Sequence, residues 1–228
     1  MPHDQFSEAM ERFGRVISNL DELKREARWA EVGEIVGRNL YRLVGVRANR
    51  FSKLTETDLL ASLIRHGPPA WVPYKQLMLI ALLKEAGDFA AERYPPKGGV
   101  GWYLRALHLL CDARAHEGLP DLPENPGIAP RLEHIVAALG DSPLPSSTRL
   151  VLAREYERDG MPACAVAHLQ AAVEKAPGNV TVLNYAIAFF ERLKGEDERY
   201  LRDHGLSRQK VQVALADLSK RKSSVLLR

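Results

Sequence analysis

Residues 146–179 read SSTRLVLAREYERDGMPACAVAHLQAAVEKAPGN, and the placing of small and large apolar residues in this stretch decides the fold. Leu152, Ala153 and Tyr156 fall at helical spacing, Gly160 breaks the run, and Ala165, Leu169 and Ala172 resume it until Pro177. Recurrence every three or four residues predicts two helices. Gly160 permits the turn that makes them antiparallel, and Pro177, which has no N–H to donate, stops the second. Ala153 and Ala165 are then expected to face each other where the helices cross closely, because small side chains are needed there. Tyr156 and Leu169 fill the wedge between the two helices.

The same positions resemble a tetratricopeptide repeat, whose pattern is Trp-x2-Leu-Gly-x2-Tyr, then Ala-x3-Phe, then Pro, with a period of about 34 residues. Here Arg149 replaces Trp, Ala153 replaces Gly and Leu169 replaces Phe. A weaker unit precedes it over 72–117, with Leu79-Ile80, Leu83 and Gly87 on one helix, Ala106, Leu110 and Ala113 on the next, and an insertion at 92–101 between them. Downstream, Leu183, Ala186-Ile187 and Phe190 read as another first helix, whose partner lies within 196–222, broken at Gly205 and capped by Ser207. The chain as a whole is similar to uncharacterised bacterial tetratricopeptide-like proteins, which carry an Ala-Leu-rich helix such as Arg105–Leu110 before a repeat. The resemblance implies an all-α fold, an α-α superhelix of stacked helical hairpins (a solenoid) with about ten helices, because a lone hairpin of this kind cannot bury its apolar face. It implies no activity.

Working outward, the N-terminal stretch carries two more apolar stripes, Phe6, Met10, Phe13, Val16-Ile17, Leu20 and Leu23, then Val32, Ile35-Val36, Leu40 and Leu43-Val44, with a bend near Arg28-Trp29. Thr55-Glu56-Thr57-Asp58 has the form of a capping box with Asp in place of Glu. Pro73 suits a first helical position. Gly118, Pro120, Pro123, Pro126 and Gly127 mark a hinge over 118–127. The expected organisation is therefore an N-terminal helical region (1–117), a linker (118–127), a repeat-like region (128–222) and a tail (223–228).

Composition narrows the function classes. Hydrophobic residues at 46% and charged residues at 27% suit a soluble globular chain, and a net charge of +3 does not call for nucleic acid or an anionic membrane. The basic end at Lys220-Arg221-Lys222 has only Tyr200 as a nearby aromatic, so it reads as a helix terminus complemented by charge, not as a base-stacking platform. Two cysteines, Cys111 and Cys164, exclude a disulfide scaffold and fit a reducing cytoplasm. The start of the chain lacks the pattern of a signal peptide, and no apolar run approaches membrane-spanning length.

No catalytic constellation emerges: there is neither a Gly-x-Ser-x-Gly elbow nor a phosphate-binding glycine loop. His108, Asp112 and His116 share a helix face, but the row climbs about 12 Å, too far for one metal ion to touch both histidines. Cys164 and His168 are four apart, and Cys164 reads as a small packing residue. Gly98-Gly99-Val100-Gly101 reads as a flexible loop. No catalytic residue, metal or cofactor is expected.

Repeats of this kind often bind peptides along their first helices. Leu150, Arg154, Glu157 and Arg158, joined by Asn184 and Glu191, are the residues expected to line such a groove. The Lys-Asn-Asn set that clamps a peptide carboxylate in the best-known relatives is missing. The expected function is a protein–protein interaction adaptor or scaffold for an unidentified protein or peptide. One alternative is a small-ligand protein or enzyme with a pocket near 94–103, lined by Trp71, Tyr74, Trp102 and Tyr103. Another is a self-associating structural module that forms a homodimer by stacking ends, with Val211, Ala214, Leu215 and Leu218 available to cap the array.

Overall fold

The computed structural model describes residues 2–51, 53–65, 68–95, 98–115 and 130–226. Among these there is no strand, and ten of the α-helices have eight residues or more, as the apolar stripes predict. The chain forms two compact units, Met1–Ser142 and Pro143–Arg228. The expected hinge at 118–127 lies outside the described residues, as does His116.

The first unit is built from α1 (Pro2–Arg25), α2 (Trp29–Val44), the short α3 (Ala48–Phe51), α4 (Glu56–Arg65), α5 (Val72–Arg93), α6 (Val100–Ala115) and α7 (Leu132–Leu139). The chain turns between α1 and α2 at Ala27, the one non-glycine residue with positive φ among those described. The capping box forms as the sequence predicts. Asp58 Oδ2 accepts from the Thr55 N–H at 2.9 Å, and Thr55 Oγ1 accepts from the Asp58 N–H at 3.2 Å.

Helix α5 is apolar on nearly every side, so it is central, packing against α2, α4 and α6. It runs past Gly87, a residue that can end a helix, to Arg93. Gly87 serves packing instead: a Cβ there would lie 2.3 Å from Tyr103 Cε1 of α6. Gly33 on α2 does the same for Phe89, whose Cζ lies 2.7 Å from the place of a Cβ. Aromatic rings from neighbouring helices thus lie flush on bare backbone at two points.

The second unit comprises α8 (Ser146–Arg158), α9 (Pro162–Lys175), α10 (Val180–Gly195), the short α11 (Glu198–Asp203) and α12 (Arg208–Leu226). Helices α8 and α9 pair as the hairpin read from 146–179, with Ala153, Ala165 and Leu169 fully buried and Gly160 left-handed at φ +69°. Asn179 caps α10 by accepting from the N–H groups of Thr181 and Val182. Helix α10 touches both α8 and α9, and its main partner is α12, held by buried Val211, Leu215 and Leu218. Cys164 is exposed and not a packing residue, because it sits one position off the Ala165–Leu169–Ala172 stripe that meets α8.

Candidate functional site

Helix α8 presents Leu150, Arg154, Glu157 and Arg158 at steps of three and four, so they share a face. Helix α10 lies alongside and presents Asn184 and Glu191. Leu150 is half-buried, whereas Arg154 and Asn184 are exposed. Glu157 is engaged within the unit: Arg192 Nε and Nη2 donate to its two oxygens at 2.7 and 2.9 Å, and the Tyr185 hydroxyl reaches it at 3.5 Å. Burial, then the Glu157 charge, raises the Tyr185 hydroxyl above its usual pKa, so it stays a neutral donor. Arg158 is bound to Glu155, a carboxylate that is buried despite its place on a surface helix. Glu191 pairs with Lys194 at 3.8 Å. The face expected from sequence is therefore largely a lattice of internal ion pairs, with Arg154, Asn184 and Leu150 its outward elements.

A second opening lies on the other side of α10. Helices α9 and α12 stand apart, leaving a groove of about 550 Å³ between them. Its floor is Leu169, Val173, Phe190 and Leu218, and its rims carry Glu174 on α9 and Lys210, Asp217 and Arg221 on α12. Val213 projects from the α12 wall and remains 64% exposed. Sequence reasoning missed this groove because it looked along the first helices only. The signal was Val213 itself, an apolar residue off the Val211–Leu215–Leu218 stripe.

On α9, His168 stacks on Tyr156 of α8 at 5.3 Å between ring centroids, and its Nδ1 is buried without a hydrogen-bond partner. Burial, assisted by nearby Arg149, lowers its pKa, so the ring is held neutral.

In the first unit, charge is concentrated where the sequence looks most apolar. Glu85 lies inside the run from Leu77 to Ala91, and a carboxylate there must be paired. Lys24 Nζ, at the end of α1, sits 2.7 Å from Glu85 Oε2 and 3.1 Å from Asp88 Oδ2. The Lys24–Glu85 contact is an ion pair to a carboxylate oxygen that is itself buried. Lys84 Nζ reaches the other Glu85 oxygen at 3.1 Å and Asp88 at 2.7 Å, and the Tyr103 hydroxyl donates to Asp88 at 2.9 Å. Burial alone would lower the Lys24 ammonium, but Glu85, with Asp21 at 2.9 Å and Asp88, outweighs it and holds its pKa well above the ordinary lysine range. Burial, then the Asp88 charge, raises Tyr103 likewise. Every member is turned inward against another, which is the arrangement of a structural network.

Two of the four aromatics expected around 94–103 are used in packing. Tyr103 is buried on Gly87, and Trp102 tilts against Phe51 at 5.8 Å. Gly98 and Gly99 lie against the backbone of α5 at Ala90 and Gly87. His108 pairs with Glu56 at 3.2 Å, and Asp112 accepts from buried Gln76 at 3.2 Å. No group of three or more metal-ligating side chains occurs among the described residues.

The family of unknown function DUF6483 matches residues 49–223, most of the chain. The chain belongs to the DUF6483 family. This DUF6483 match begins within α3, so α1 and α2 precede it, while α5, α6 and nearly all of the second unit lie inside it. The DUF6483 family is not described as a tetratricopeptide family, and the repeat likeness of 146–179 rests on its residues and their packing. No curated protein and no solved structure matches the chain. No helix among the described residues is long and apolar enough to cross a membrane.

Proposed function

We propose that the chain is a protein–protein interaction adaptor, built in its second unit as a tetratricopeptide-like pair of hairpins, that works in the cytoplasm and takes an amphipathic helix of a partner protein into the groove between α9 and α12. The observation that carries the reading is the groove itself: an apolar floor between two helical walls, with charges on both rims and Val213 left out in solvent. From Gln209 to Arg221 the α12 wall runs about 18 Å, enough for a helix to lay down apolar residues at i, i+3 or i+4, and i+7. Glu174 on the α9 wall faces solvent, and on the α12 wall Lys210 does so while Arg221 is paired with Asp217 at 2.7 Å, so the partner helix carries a basic residue toward Glu174 and an acidic one toward Lys210. The α8–α10 face is the less favoured place, because Glu157 and Arg158 would have to leave Arg192 and Glu155 to meet a ligand.

The test is a photo-crosslinking amino acid placed at Val213 in one variant and at Asn184 in another, irradiated in cells that make the protein at native level. The reading expects a discrete protein adduct at 213 and none at 184. Adducts at 184 alone move the site to the α8–α10 face, and adducts at neither position overturn the adaptor reading.

A further inference from the structure

A smaller cleft in the first unit has a different chemistry. It lies between α1, α2 and α5, encloses about 270 Å³, and is floored by Phe13, Leu43, Met78 and Leu82. Arg12 and Arg42 stand among its lining residues, and no carboxylate does. Arg42 makes no ion pair among the described residues. Arg12 is paired with Glu8 one turn earlier, but both side chains are more than half exposed, and such a pair contributes little and exchanges readily. Two guanidiniums beside an apolar floor favour an anion with a hydrocarbon body: the planar forks bind carboxylate or phosphate oxygens, and the floor takes the chain. The volume decides the size, since pockets for drug-sized ligands begin at about 300 Å³, and a partner helix needs a longer trough than this.

We infer that this cleft binds a small single-chain amphiphile with an anionic head group, its chain against Met78 and Leu82 and its head between Arg12 and Arg42. The proposal is independent of the adaptor reading, which concerns the other unit. It is tested on the full chain labelled at its methionine methyl groups, titrated with octanoate, with octyl phosphate, and with octanol and octylamine as chain-matched controls. The expected result is a saturable shift of the Met78 resonance with octanoate or octyl phosphate and no shift of Met161, which lies in the second unit. Whichever of the two anions binds more tightly identifies the head group as carboxylate or phosphate. The neutral and cationic controls bind more weakly by about tenfold or more, and Arg42→Gln, an exposed substitution that leaves the melting curve unchanged, weakens octanoate by about tenfold. An unmoved Met78 resonance, equal binding of octanol and octanoate, or unchanged affinity in Arg42→Gln would each overturn the inference. The control ligands decide the matter on the unsubstituted protein even if the variant folds poorly.

Discussion

Tyr103 lies across Gly87 so closely that a single added carbon on the glycine would stand 2.3 Å from the tyrosine ring. The hydroxyl of the same tyrosine is tied to Asp88, one residue further along α5, at 2.9 Å. Ring and hydroxyl together fix how α6 sits on α5.

Gly87→Ala therefore reverses the usual sign of a helix substitution. Alanine in an open helix interior stabilises by about 0.5–1 kcal/mol over glycine. At Gly87 the displaced ring costs more than that, and the variant should lose about 1–3 kcal/mol. Gly37 on α2 is the matched control, with nothing within 4 Å of a new Cβ. Urea unfolding of Gly87→Ala and Gly37→Ala should give opposite shifts; shifts of the same sign would contradict the close approach.

Lys24→Met removes one ammonium from a carboxylate that is 5% exposed. Breaking a buried pair from one side costs about 3 kcal/mol, toward the low end here because Lys84 still holds the other Glu85 oxygen. Adding Glu85→Gln should recover much of the loss, because the stranded charge goes with it. A double variant no more stable than Lys24→Met would show that packing of the lysine stem, and not charge, is what matters.

His168 gives the fold a dependence on acid. Its pKa in the folded chain lies below the ordinary value of 6.5 because burial disfavours the imidazolium. The unfolded chain thus binds the extra proton first. Stability from this residue is complete above about pH 6.5 and is lost as pH falls from there toward the folded pKa. His168→Phe keeps a ring against Tyr156 without the titration. Thermal melts from pH 7 to 5 should show a shallower decline for the variant, and parallel curves would exclude the histidine as the source.

The two cysteines should separate cleanly by reactivity. Cys164 is exposed and Cys111 buried. A thiol reagent applied to the native protein should label Cys164 alone, with Cys111 following only in denaturant. Labelling of both in the folded state would contradict the packing of α6.

What the sequence told and what it withheld divide along physical lines. Local patterns were legible: the Thr55–Asp58 capping box, the left-handed Gly160 and the burial of Ala153 and Ala165 in the α8–α9 hairpin all depend on residues near in sequence or on a known hairpin geometry. Gly87 is ambiguous in sequence because a glycine that ends a helix and one that receives a ring from 16 residues away look alike in a linear string. The α8–α10 face was legible as a set of neighbours, but not in its pairing across helices: Arg192 for Glu157 depends on how α8 and α10 are rotated about their axes, whereas Glu155 and Arg158 are i,i+3 neighbours on one helix. The groove between α9 and α12 was hidden because it exists where two helices stand apart, and a gap leaves no stripe in the sequence.

The layer formed by α1 and α2 bears on any attempt to make a minimal version of this protein. A chain trimmed to begin at residue 49, where the family match starts, would look complete on paper. It would lack one of the two ammoniums that pair with Glu85 and the glycine seat of Phe89, and would turn the face of α5 that meets α2 out into water. The start of the family match is thus not the boundary of the folding unit, and the trimmed chain should be recovered as aggregate while the full chain stays in solution.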